Sequence, residues 1–255
     1  MKNIEVKVLN EDTILQAEKM MVCAARLTQR GHKIKNMDDF MKLYEKPYKE
    51  STVANMVALP HPTIQKFGVI TVAIVGASRR FLAQITRHQN EVKFMSASLQ
   101  YSDYSGEADF AIPYHLLNNP KEYLEQCVNS MKTYQELVGL SDNDSAGYAA
   151  PQGLRNILII SATPYQWKHM IKQRICRRNT DETRIVMLKI WQELYKYGMF
   201  RDAFPNCCDE KGFSCGRFMS KKDTPESILR QDYPLLFEEN SINWREVLEE
   251  HCIDF

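Results

Sequence analysis

The chain has 255 residues, 44% of them hydrophobic, which is enough apolar material for one substantial core, as a single domain or a domain with an extension. Its 33 Lys and Arg stand against 32 Asp and Glu, so overall basicity does not recruit a nucleic-acid polymer and any anion site must be a local cluster. No apolar run approaches the roughly 20 residues of a membrane helix, and the start MKNIEVKVLNEDT lacks the apolar stretch and cleavage site of a secretory signal, so the expectation is a cytoplasmic protein with no membrane partner.

In chain order, EDTILQAEKMMVCAARLTQRG predicts a helix, because Ile14, Ala17, Met21, Ala24 and Ala25 recur at three- and four-residue steps before Gly31. MDDFMKLYEKPYKE predicts a second helix, broken near Pro47. ALPHPT is a loop with prolines on both sides of His61. The β-branched FGVITVAIVG predicts a strand closed by Gly76, with ASRRFLAQITRHQ following as a helix. From Lys93 to Pro113 the polar, aromatic composition predicts loop and short strand. NPKEYLEQCVNSMKTYQELVGL is a helix with Asn119 as cap and Pro120 at its first position. SDNDSAGYAAPQG is a loop, and LRNILIIS a short strand. Two helices follow: TPYQWKHMIKQRICRR, and TDETRIVMLKIWQELYKYG with Gly198 as its stop. Helical patches ESILRQDYPLLFEE and NWREVLEEHC fall in the last 50 or so residues. The class is α+β, helix-rich, with a small and mostly antiparallel sheet. Residues 1–200 read as the main domain and 201–255 as an extension.

Seven cysteines, an odd number in a chain without a signal, argue against a disulfide framework. Cys207, Cys208 and Cys215 crowd together in NCCDEKGFSCG, but the spacing is not a CxxC pair and a fourth zinc ligand would have to come from His251 or Cys252. Ordinary thiols, and no metal, are the expectation.

Three cation-bearing segments stand out. In the first, Gln84, Arg87 and His88 fall at i, i+3 and i+4 and share a face if the helix continues through them. An arginine fork suits phosphate or a pyrimidine carbonyl, and a glutamine amide beside it can both donate and accept. The second is Arg155, ahead of the apolar NILII run. The third is IKQRICRRNTDETR, where Arg174 and Arg178 lie one helical turn apart and Glu182 is a partner for Arg178. Each of the three, taken alone, also fits a solvated, salt-bridged surface. GxSxG, P-loop and GxGxxG patterns are missing, and none of the cysteines sits in a setting that would activate it as a nucleophile.

Taken in order, these segments resemble the flavin-dependent thymidylate synthases. The resemblance rests on Ala24-Ala25-Arg26, His61-Pro62-Thr63, Gly76-Ala77-Ser78-Arg79 followed by Gln84, Arg87 and His88, then Ser98-Leu99-Gln100-Tyr101, Leu154-Arg155, and Arg174 to Arg184 with Glu182 between them. It spans roughly residues 20 to 190. Gln89 and Gln100 replace arginines of the family pattern, and Asn179-Thr180 replace its Ala-Gln.

The resemblance implies an enzyme that passes a one-carbon unit from 5,10-methylenetetrahydrofolate to C5 of dUMP and completes the methyl group with hydride from FAD, which NADPH reduces. It implies Arg174 as the catalytic residue, stabilising negative charge on the pyrimidine. It assigns dUMP to Gln84, Arg87, Ser98, Leu99, Gln100, Arg155 and Arg174, and FAD to His61, Thr63, Arg87, His88, Gln89 and Ser96. It also implies a homotetramer whose sites combine residues from several subunits. The replaced arginines leave open a relative that modifies another pyrimidine nucleotide at C5, for instance by hydroxymethylation, or one that is not catalytic.

Overall fold

The computed structural model describes residues 1, 3–57, 59, 61–106, 108–205, 217, 219–238 and 244–250. Cys207, Cys208, Cys215, His251 and Cys252, the residues weighed as zinc ligands, lie outside them. Among the described residues no group of three or more His, Cys, Asp or Glu could hold a metal ion, and no helix is long and apolar enough to cross a membrane.

Strands β1 (Glu5–Val8), β2 (Ile70–Ser78), β3 (Val92–Ser96) and β4 (Arg155–Ala162) form one antiparallel sheet in the order β1-β2-β4-β3. The fold is therefore the helix-rich α+β class that the pattern predicts. The sequence reading passed over β1, a stretch of only four residues. Pairing through Val6↔Ile74 and Val8↔Val72 makes it an edge strand. Side chains alternate across the sheet. Ile70, Val72 and Ile74 of β2 and Leu158, Ile160 and Ala162 of β4 are buried on one face, while Val75, Met95, Ile157 and Ile159 are exposed on the other.

Gly76 does not close its strand. β2 runs two residues further through a bulge between Val75 and Ala77, with Gly76 at φ 88°. Only glycine enters that conformation without strain. A Cβ there would also press on the Arg155 guanidinium and lie 2.7 Å from the Asn3 carbonyl oxygen. The extra residue turns the end of the strand so that Ser78 caps the next helix, accepting from the Phe81 N–H at 3.2 Å.

Helices α1 (Glu11–Arg30), α2 (Met37–Glu45), α3 (Glu50–Val57), the single turn α4 (Pro62–Gln65), and α5 (Arg79–Ile85) lie in the first part of the chain. Then come α6 (Lys121–Leu140), the short α7 (Asn143–Ala146), α8 (Pro164–Arg174), α9 (Asp181–Leu194), α10 (Pro225–Asp232) and α11 (Trp244–Glu250). α1 buries Ile14, Ala17, Met21 and Ala25 as their spacing predicts, and Val22 and Cys23 as well. Helix α6 starts one residue later than predicted, with Pro120 as its cap.

α9 is buried nearly all round, from Glu182 to Leu188 and again at Ile190, Trp191 and Leu194. A helix of this kind is the centre of a core. It packs against β1, β2, α5, α8 and α10. Two tryptophans fix the surroundings: Trp167 Nε1 donates to the Ile70 carbonyl at 2.9 Å and Trp191 Nε1 to that of Phe200 at 2.7 Å. Beyond residue 200, α10 docks on α9, and Leu248 of α11 is buried, with α11 against α6.

Candidate active site

α8 and α5 end side by side, and their ends define the site. α8 is capped by Thr163, whose hydroxyl accepts from the Gln166 N–H, and stops at Arg174 rather than continuing to Arg178. α5 stops at Ile85, so Arg87 and His88 lie in the turn beyond it and do not share a helical face with Gln84. Tertiary contact gathers them instead. Arg174 Nε donates to His88 Nε2 at 2.9 Å, and its Nη2 donates to the Gln84 carbonyl at 3.0 Å.

Both acceptors are neutral. Among the described residues no carboxylate lies within ion-pair distance of the half-buried Arg174. Burial, and then the charge of Arg87, act against its protonated form. A partly desolvated cation beside a second cation, without an acid, is a prepared anion site.

Beneath the guanidinium, His88 is 8% exposed and meets His169 edge to face at 6.1 Å. Burial, Arg174 and His169 push its imidazole down to about 4 from the usual 6.5. The ring is neutral near pH 7, which leaves Nε2 free to accept from Arg174. The sign of the linkage follows. As pH falls through 6.5 the unfolded chain takes up a proton that the folded chain refuses until about 4. Stability is therefore full above 6.5 and is lost through that window. Two states separated in this way differ by about 2 kcal/mol at pH 5, or about 1 kcal/mol once solvent screening is allowed for. His88→Gln is expected to flatten this part of the curve of Tm against pH. Parallel curves for the two proteins would refute the assignment.

Gln84 is held from the other side. Its Oε1 accepts from the Thr180 hydroxyl at 3.0 Å and the Thr183 hydroxyl at 2.5 Å, at the start of α9. This orients the amide NH2 away from α9, as a donor. The same helix start anchors β2: Glu182, 7% exposed, accepts from Ser78 N–H at 2.7 Å and from its hydroxyl at 2.5 Å. Glu182 is thus engaged with Ser78 and not with Arg178. Sequence reasoning missed these supports, although polar residues at Thr180, Glu182 and Thr183 in the first turn of an otherwise apolar helix mark it.

The remaining cations divide. Arg155 pairs with Asp109 and donates to the Asn3 carbonyl at 3.1 Å. Arg177 and the buried Arg184 both pair with Asp232 of α10. These are balanced within the chain. Arg79 is different: its Nη1 is buried without a hydrogen-bond partner.

His61 and Thr63 lie exposed at the start of α4, and Gln89 and Gln100 are exposed. Ser96 ends β3 opposite Leu158. Ser98 Oγ accepts from the Gln100 N–H at 3.1 Å, and Leu99 packs over Gly147. The structure therefore joins Gln84, His88 and Arg174 by hydrogen bonds, with the exposed Arg87 near enough for its charge to act on Arg174, and no hydrogen bond or ion pair joins the other expected residues to them.

The class so defined is a helix-rich α+β protein with a prepared anion site at the meeting of two helix ends. The sequence family described as thymidylate synthase complementing protein matches residues 9–197, and the chain belongs to this family. The flavin-dependent thymidylate synthase of Thermococcus onnurineus (strain NA1) is 27% identical over 165 residues, covering 62% of this chain and 66% of that protein. That of Pyrococcus abyssi (strain GE5 / Orsay) is 26% identical over 168 residues, 62% of this chain and 67% of the relative. The chain spans about two thirds of the length of these curated relatives.

Among solved structures, the UMP/dUMP methylase PolB from Streptomyces cacaoi bound with 5-Br dUMP superposes with a TM-score of 0.60 at 12% identity, covering 78% of this chain and 93% of that one. Thymidylate Synthase X from Helicobacter pylori with FAD and dUMP gives 0.56 at 16% identity, with 78% and 98% covered. At these identities the likeness is one of fold.

Proposed function

We propose that this chain is a flavin-dependent thymidylate synthase, converting dUMP to dTMP with 5,10-methylenetetrahydrofolate as one-carbon donor and NADPH as reductant by way of FAD. The observation that carries the reading is Arg174: a half-buried guanidinium held by a neutral imidazole and a carbonyl, with no carboxylate within ion-pair distance among the described residues. Family membership and the names of the two curated relatives support it.

In this reading Arg174 stabilises negative charge on the pyrimidine as C5 becomes nucleophilic, which is charge stabilisation prepared before the reaction. The Gln84 amide, fixed as a donor by Thr180 and Thr183, meets an acceptor on the nucleotide. Arg87 serves both the nucleotide and the flavin. Ser98, Leu99, Gln100 and Arg155 complete the dUMP side, and His61, Thr63, Gln89 and Ser96 the flavin side. His88 contributes chiefly through Arg174. Among the described residues no carboxylate lies within ion-pair distance of Arg174, Arg87 or Arg79, which fits an anionic, phosphate-bearing cofactor such as FAD. FAD, when bound, supplies the hydride transfer.

Purified protein given dUMP, methylenetetrahydrofolate, NADPH and FAD is expected to form dTMP. A second reading, another modification at C5, is favoured by Gln89 and Gln100 standing where the family pattern has arginines. A product with the mass of hydroxymethyl-dUMP would establish that reading and remove the first. A protein that neither binds flavin nor turns over would remove both.

The open sheet face supports the proposed homotetramer. Val75 is 37% exposed, Ile159 39%, Ile157 55% and Met95 72%. Covering the exposed part of such side chains contributes about 0.5–2 kcal/mol each, a fraction of the value for burying a whole one, and a second copy of the chain is the proposed cover. Ile157→Glu is expected to reduce the mass measured by light scattering. An unchanged mass would exclude this face from the assembly. Cys23, Cys127 and Cys176 are free thiols, which suits a reducing, cytoplasmic setting.

A further inference from the structure

A second cavity lies away from Arg174. It encloses about 810 Å³ between α1, α2, α3 and the segment that follows α9. That volume is in the range of small-molecule sites. Lys196 and Tyr197, in its wall, follow the C-terminal end of α9, whereas Thr180 and Thr183 hold Gln84 at the opposite end. The 14 residues of α9 separate the two ends by about 20 Å at roughly 1.5 Å per residue. The two regions are separate.

Its lining is of two kinds. Leu15, Val22, Leu43 and Val53 give it an apolar floor, and Tyr44, Tyr48 and Tyr197 add three phenol rings. Cations lie over those rings: Lys19 Nζ is 4.2 Å from the centre of Tyr44, Lys46 Nζ 5.8 Å from Tyr48, and Lys196 Nζ 5.4 Å from Tyr197. Lys196 is matched by Glu11 at 3.0 Å. Lys19, Lys46 and Arg201 have no carboxylate within ion-pair distance among the described residues. Glu18, Glu45 and Glu50 also line the space, and burial pushes the Glu18 carboxyl up, toward its neutral form.

Two polar atoms are orphaned here. Tyr48 Oη is buried with no hydrogen-bond partner, and so is Nε of Arg26, whose guanidinium sits 5.4 Å from the Tyr48 ring centre. Buried polar groups are rarely left unsatisfied, and Tyr48, which lines the cavity, would find a partner for its hydroxyl in a polar ligand group. A cationic ligand would meet lysines already seated on the rings, and a wholly apolar one would leave that hydroxyl without a partner.

We propose that this cavity is a second ligand site, independent of the Arg174 site, for a planar aromatic anion of about nucleotide size. Its ring packs on the apolar floor and the tyrosines, and its negative group meets Lys19, Lys46 and Arg201.

The test is a titration of the full chain with 8-anilinonaphthalene-1-sulfonate, an aromatic anion that fluoresces on leaving water. Binding is expected to saturate at one probe per chain. Tyr48→Ala and Lys46→Glu should each weaken it about tenfold, the equivalent of one lost contact, and Arg174→Ala should leave it unchanged. Lys46 is exposed, so its replacement tests the charge without endangering the fold. The uncharged N-phenyl-1-naphthylamine should bind at least about tenfold more weakly. Absent saturation, equal affinity in Lys46→Glu, equal affinity of the uncharged probe, or loss of binding in Arg174→Ala would each overturn the proposal. The measurement reads binding alone, so loss of thymidylate synthesis would leave it standing.

Discussion

Arg174→Ala is expected to lower turnover of dUMP by about 10²–10³-fold or more while the protein folds and still binds flavin. The magnitude is that of removing one prepared charge-stabilising donor from an active site. Arg174 is suited to this because its own bonds are few and neutral. Its Nε–H donates to His88 Nε2 and one Nη2–H to the Gln84 carbonyl, leaving the rest of the fork for a ligand. The side chain is half-buried. Arg174→Lys should rescue poorly, since an ammonium cannot hold His88 through Nε and present a planar fork at once. The comparison to make is kcat for dTMP formation beside the flavin spectrum of each variant. Near wild-type methylation in Arg174→Ala would remove this residue from the chemistry.

Asp232→Ala is expected to be the most damaging of these replacements for stability. Asp232 closes a network across α9, α10 and the turn after α8: Arg184 Nη2 reaches it at 2.5 Å, and Arg177 grips it with Nε and Nη2, both at 2.9 Å. Arg184 is 5% exposed and also donates to Tyr233 Oη at 2.7 Å and to the Ile175 carbonyl at 3.0 Å. Removing the carboxylate strands a buried charge, which costs about 3–5 kcal/mol, and the two surviving bonds favour the lower end. Burial opposes ionisation of Asp232, but hydrogen bonds from Arg177 and Arg184 outweigh it and hold the carboxyl below its ordinary value. The stabilisation is therefore present above about pH 4 and is lost as pH falls through the depressed value. Arg177→Ala should cost less, since Asp232 keeps Arg184. Urea unfolding of the three proteins makes the comparison. A midpoint for Asp232→Ala equal to that of the parent would show that α10 does not brace α9.

This network also bears on the division at residue 200. The expected extension supplies Asp232 and Tyr233 to a helix of the main body. We therefore propose that the described residues after 200 are a brace for α9, and through it for Thr180 and Thr183 beneath Gln84.

Much was legible from residues alone. Three- and four-residue spacing in α1 and β-branched runs in β2 and β4 each dictate their element, because the signal is local and repeats. The order of the motifs, from Ala24-Ala25-Arg26 to Arg174, carried the family. Local spacing failed where a helix had to end. Nothing in ITRHQ or in KQRICRR stops a helix by propensity, yet α5 ends at Ile85 and α8 at Arg174, because the turns beyond are held by contacts between distant segments.

Charge pairing was equally invisible. Asp109, Glu182 and Asp232 lie far along the chain from Arg155, Ser78 and Arg177, and whether a cation is balanced or open depends on which acid the fold delivers to it. The sequence by itself determined the class of fold, the family and the set of cations. Only the tertiary structure decided which of them remain unpaired, because ion pairing falls off within a few ångströms and is set by folded distance, not by position in the chain.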